Sequence, residues 1–223
     1  MLLARAFAGF AFLFAVVAGV LFGLEGTLRG GRAWLMLAVF FGCAGLITVW
    51  LWFHDKALLE RRVKAGPGSE PDPVQNVVQA LAGLAFLATI AVPALDRRFG
   101  WSQTPLAVSL AGDGMIAIGY LIVFATFRAN TFTAGTIEIA DDQHLVDSGP
   151  YAVIRHPMYA GALILIAGIP LALGSWWGLV PAGLLVPVIV WRLIREETFL
   201  AANLPGYADY RGRVRYRLAP LIW

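Results

Sequence analysis

Residues Ser148–Gly161 read SGPYAVIRHPMYAG, and from Pro157 onward the chain carries no charge until Arg192, a run of 35 residues. As one helix that run would extend about 52 Å at 1.5 Å per residue, far more than the roughly 30 Å of a bilayer core. Two antiparallel helices fit the length instead, and Pro170, Gly174 and Ser175 supply breakers near its midpoint. The polar knot Arg192, Arg195, Glu196 and Glu197 then returns to the membrane depth of Arg155 and His156. This stretch decides the fold: a C-terminal hairpin dips into the bilayer and brings two polar clusters to one face.

Composition agrees. Hydrophobic residues make up 59% of the 223 positions and charged residues only 14%, against about 25% charged in soluble domains. Further apolar runs at 6–24, 33–53, 74–95 and 108–127 are each near the roughly 20 residues that a crossing needs. The expectation is an all-α polytopic membrane helix bundle of five to six transmembrane helices, with a C-terminal hairpin and a cytoplasmic cofactor pocket. The first run reads as a retained span, because no small-residue cleavage pattern follows it. Cys43, the single cysteine, offers neither a disulfide nor a paired metal thiolate, and no metal site is expected.

Lysines and arginines accumulate on the cytoplasmic side of membrane proteins. With six crossings and both termini cytoplasmic, 13 of the 17 basic residues fall inside, and only Arg29, Arg32, Arg97 and Arg98 fall outside. Residues 1–127 are read as four spans. Their long cytoplasmic loop, 54–73, has a mixed-charge helix-like stretch before Pro67, Pro71 and Pro73. Residues 128–223 are read as a connector carrying Glu138, Asp141, Asp142 and Asp147, then the hairpin, then a basic tail with Arg211, Arg213, Arg215 and Arg217. Those arginines suit anionic lipid headgroups, and no nucleic-acid partner is expected. Trp176, Trp177 and Trp223 suit anchoring at headgroup depth.

The chemistry concentrates around Arg155, His156 and Pro157. Proline is favoured at the first helical position, so Pro157 starts the fifth span, and the free N–H groups beyond it form a seat for an anion. Arg155 offers a planar fork for a carboxylate. Tyr151 and Tyr159 flank the turn, and Gly149 and Gly161 permit close backbone approach. The plain alternative is that Arg155 snorkels to headgroups and His156 caps a helix. Glu196 and Glu197 stand near a helix C-terminus whose dipole disfavours acids. Arg192 lies one turn before Glu196 and can pair with it.

Three blocks carry a resemblance: GPYAVIRHPMYAG at 149–161, RLIREE at 192–197 and PGYADYRGRVRYRLAP at 205–220. Together they resemble the isoprenylcysteine carboxyl methyltransferase family over roughly residues 128–220. The resemblance implies S-adenosylmethionine as cofactor, held by the connector, hairpin and tail. It places His144, Leu145, Val146, Gly149, Tyr151, Arg155, His156, Tyr159, Glu196 and Glu197 at the cofactor, with Arg192, Glu196 and Glu197 as the catalytic set. The implied partner is a lipophilic or small-molecule methyl acceptor, beside the membrane lipids: an isoprenylcysteine-like carboxylate, a lipid or a thiol.

Two further classes stay open at this point. Membrane sterol reductases carry a similar RHP-type block and use NADPH, and a non-catalytic scaffold would keep the fold alone. Asp113, between Gly112 and Gly114 in the fourth span, is an ionisable group at membrane depth and so a functional candidate in its own right.

Overall fold

The computed structural model describes residues 2–64, 73–133 and 143–223. Glu138, Asp141 and Asp142 of the connector, and Pro67 and Pro71 of the long loop, lie outside them. The described chain is all helical: α1 Leu2–Glu25, α2 Gly31–His54, α3 Lys56–Lys64, α4 Pro73–Phe99, α5 Leu106–Ala129, a 3₁₀ turn Gly149–Ala152, α6 Pro157–Ala172, α7 Leu179–Asn203 and α8 Tyr207–Arg213.

Among the described residues, four helices are long and apolar enough to cross a membrane: α1, α2, α4 from Val74, and α5. Each contains one of the four expected runs and extends it by a few residues, because helical hydrogen bonding continues past the apolar stretch. The fifth apolar region is a hairpin. Its first arm, α6, has 16 residues and a length of about 24 Å. Its second arm, α7, is apolar up to Trp191 and charged beyond.

The hairpin turn corrects one expectation. Pro170 does not break the chain; it is buried inside α6, and the turn falls at residues 173–178, where Gly174 adopts φ +79°. Pro170 lies in the last turn of α6, where it removes a single ladder hydrogen bond, and Ser175 N–H closes the helix end by donating to the Pro170 carbonyl over 2.9 Å. This end of the bundle is latched by polar contacts. Asp96 accepts from Ser102 N–H and Ser102 Oγ, both at 2.6 Å, and from the Ser175 hydroxyl. Arg32 grips Thr104, whose hydroxyl donates to the Gly174 carbonyl over 2.7 Å, and Arg97 pairs with Glu25 at 2.8 Å.

α5 and α6 meet backbone to backbone through glycines. A Cβ on Gly119 would stand 2.6 Å from the Gly161 carbonyl oxygen, and one on Gly168 would stand 2.7 Å from that of Gly112. Lipid tails are as apolar as leucine, so membrane helices associate by such close packing of small residues. This contact fixes the start of α6, and therefore Arg155, His156 and Tyr159, against the C-terminal end of α5.

Candidate functional site

At that end of the bundle a cleft, partly open to solvent, forms between the C-terminal end of α5, the 3₁₀ turn, α6, α7 and α8. The chain after α5 gives it Asn130, Phe132 and Thr133, and the stretch before the 3₁₀ turn gives it Gln143, His144, Leu145 and Val146. Tyr151, Arg155, His156, Met158 and Tyr159 come from the turn and the start of α6. Arg192, Glu196, Leu200 and Leu204 lie along α7, and Tyr207 and Tyr210 come from α8.

Glu197 is the hub behind this wall. Its Oε1 receives Arg155 Nε at 2.6 Å and lies 3.2 Å from His156 Nε2, while Oε2 receives Arg217 Nε at 3.1 Å. Burial by itself raises a carboxyl pKa, but hydrogen bonds from His156, Arg155 and Arg217 outweigh it and bring Glu197 to about 2. The remaining guanidinium contacts of Arg155 go to the tail: its Nη1 donates to the carbonyls of Val214 at 2.8 Å and Arg215 at 3.0 Å. Arg155 N–H and His156 N–H donate to the Tyr216 and Arg217 carbonyls, both at 2.9 Å. The fork read in the sequence as a grip for a ligand carboxylate is thus occupied by Glu197 and the tail.

The second acid is placed differently. Glu196 lines the cleft, and its Oε2 accepts from Tyr159 Oη at 2.6 Å. That same hydroxyl accepts from Arg192 Nε at 3.1 Å. The phenol thereby stands between the cation and the acid that the helical spacing pairs directly. Arg192 also reaches Gln75 of α4 at 3.3 Å, and Arg62 of α3 lies against Met158 and over the ring of Phe127. Two elements of the N-terminal half therefore reach the site; no motif in that half announces it.

At the α8 end the walls are aromatic and aliphatic. Leu204, Tyr207 and Tyr210 are buried together, with Leu145, Tyr151 and Leu200 against them. Tyr210 Oη donates to the Tyr151 carbonyl at 2.9 Å, and Asn130 Nδ2 donates to Tyr151 Oη at 3.3 Å. Burial holds the phenols of Tyr151, Tyr207 and Tyr210 above their usual range, so all three stay protonated.

A comparison with known protein families matches residues 108–205 to the phospholipid methyltransferases. Over those residues the chain is similar to that family. The phospholipid methyltransferases and the isoprenylcysteine carboxyl methyltransferases are one superfamily of membrane methyltransferases, so the resemblance drawn from the three blocks holds at that level. No curated protein matches the chain. This likeness to membrane methyltransferases stands beside four helices that are long and apolar enough to cross a membrane.

Of the residues singled out in the sequence, the cleft collects His144, Leu145, Val146, Tyr151, Arg155, His156, Tyr159, Arg192 and Glu196. Glu197 and Gly149 do not line it: Glu197 is buried behind, and Gly149 makes the turn at φ +60° with Ala129 beside it. Sequence reasoning missed Asn130, Tyr207 and Tyr210 as cleft residues. Both tyrosines lie in the PGYADYR block, and their spacing of three places them on one helical face, the available signal.

Proposed function

We propose that the protein transfers a methyl group from S-adenosylmethionine to a lipophilic acceptor presented from the bilayer, with the cleft on the cytoplasmic side and both termini there. The observation that carries the reading is the Arg192–Tyr159–Glu196 relay at the membrane end of a cleft whose other end is aromatic. The donor set fits the cofactor. Glu196 suits the ammonium or ribose hydroxyls, the aromatic end suits a nucleoside, and Tyr207 Oη is a buried O–H that no protein group accepts. When bound, the cofactor supplies an electrophilic methyl on its sulfonium. Glu197 holds Arg155, His156 and the tail in register, while Tyr159 fixes Arg192 and Glu196 relative to one another. Arg192 orients an anionic group of the acceptor, and the apolar walls exclude water. Such positioning supplies most of the acceleration of an in-line displacement.

An apolar groove between α2 and α5 supports a hydrocarbon-bearing acceptor; Leu46, Ile47, Trp50, Tyr120 and Phe124 are among its walls. Ile47 and Trp50 also pack into the cluster that includes Phe127 and Met158, and Met158 borders the cleft. The test is transfer of labelled methyl from adenosylmethionine to fractionated membrane lipids, prenylcysteines and thiols, beside thermal shifts with adenosylmethionine and with NADPH. Ligands that bind only the folded state stabilise it. Label in a lipid-soluble product supports the reading; stabilisation by NADPH alone removes it.

A further inference from the structure

Five buried side-chain atoms among the described residues have no hydrogen-bond partner: Glu25 Oε2, Ser109 Oγ, both carboxyl oxygens of Asp113, and Tyr207 Oη. Only Tyr207 lines the cleft. Its residue is 4% exposed, and it lies two positions beyond the segment matched to the methyltransferase family. An unsatisfied buried hydroxyl costs stability, so one retained at the wall of a binding cleft points to a ligand atom that satisfies it.

The surroundings narrow that atom. Tyr207 is protonated and can donate. Around its ring stand Leu145, Leu204 and Tyr210, and its phenol feels the negative charges of Glu197 and Glu196. The neighbouring hydroxyls are already engaged, Tyr210 on the Tyr151 carbonyl and Tyr151 with Asn130. A ligand carboxylate is disfavoured beside two glutamates, and an ammonium has no lone pair to accept with. A neutral acceptor on a flat, partly apolar body meets both conditions.

Resting on the reading of the cleft as an adenosylmethionine site, we infer that Tyr207 is a specificity residue that donates to the nucleoside half of the cofactor. That half then lies at the α8 end, and the sulfonium lies toward Tyr159, Glu196 and the membrane.

The experiment is calorimetric titration of the full-length protein in detergent with S-adenosylhomocysteine and with 5′-methylthioadenosine, which lacks the amino-acid half. The proteins are wild type, Tyr207→Phe and Tyr210→Phe. Tyr207→Phe is expected to weaken both ligands by a similar factor, about five- to twenty-fold, as loss of one buried hydrogen bond does. The melting temperature of ligand-free Tyr207→Phe should equal or exceed that of wild type, because the orphan is removed. Tyr210→Phe should melt lower, because its hydroxyl holds Tyr151. Weakening of S-adenosylhomocysteine alone, or of neither ligand, overturns the inference. A wild type that binds neither ligand overturns the cofactor reading with it.

Discussion

Arg155 donates through Nε to Glu197 Oε1 over 2.6 Å, closing a buried ion pair between residues 42 positions apart. The pair joins the start of α6 to the polar half of α7, and through Arg155 Nη1 and Arg217 it ties in the tail as well. A buried pair of this kind contributes little net stability, but removing one partner strands the other. Its role here is to hold three segments in one arrangement around the cleft.

That arrangement should be acid-sensitive. The Glu197 carboxyl is held at about 2 in the folded protein, against 4.5 for an unperturbed glutamate. Ionisation of Glu197 therefore favours the folded state over its protonated form by on the order of 3 kcal/mol, fully above pH 4.5 and progressively less as pH falls toward 2. Glu197→Gln should be less stable at neutral pH by about 3–5 kcal/mol, because Arg155 and Arg217 lose their counter-charge. Unfolding measured from pH 7 to pH 2 should show wild type losing stability below pH 4.5 more steeply than the variant. Parallel curves would refute the assignment.

Tyr159→Phe should leave the fold intact and lower turnover by about 10- to 100-fold, the size of effect seen when one positioned donor near reacting groups is lost. The hydroxyl bridges Arg192 and Glu196. Affinity for S-adenosylhomocysteine should change much less than turnover. A matched loss in both would place Tyr159 in cofactor binding rather than acceptor positioning.

The glycine seam makes opposite predictions at two kinds of site. Gly161→Ala puts a Cβ 2.8 Å from the Gly119 carbonyl oxygen, so the helices must separate, at a cost of about 1–3 kcal/mol. Gly83→Ala in α4 meets nothing within 4 Å and should be neutral or stabilising by up to about 1 kcal/mol. Unfolding in detergent ranks the two directly, and equal effects would remove the seam as the organiser of α6.

Asp113 makes the reverse case. Both carboxyl oxygens are buried without partners in α5, and Ser109 Oγ, one turn earlier, is in the same condition. Asp113→Leu is expected to raise the melting temperature, since an unsatisfied buried polar group costs about 1–3 kcal/mol. A lower melting temperature would show that the carboxyl has a structural partner after all.

Much of the architecture is legible in the sequence. Apolar run length predicts the four long helices, and the span from Pro157 to Trp191 requires a hairpin because no single helix of that length fits a bilayer. The hairpin also explains why Arg155 and Glu196 end on one face. Gly174 and Ser175 mark its turn correctly, whereas Pro170, a breaker in isolation, is absorbed within α6. Gly112, Gly119, Gly161 and Gly168 give no such warning, since a glycine seam is set by which helix faces meet.

The sequence by itself determined the class of fold, the hairpin and the stretch that carries the chemistry, because these follow from local apolarity, charge and chain length. Only the tertiary structure decided which partner each polar group takes. It engages Arg155 with Glu197, sets Tyr159 between Arg192 and Glu196, brings Gln75 and Arg62 to the site from the other half, and leaves Tyr207 Oη buried without a protein partner. The reason is physical. In helices apolar on nearly every face, amphipathic periodicity no longer shows which sides meet; close packing of small residues fixes that, and with it the hydrogen-bond geometry at the helix ends.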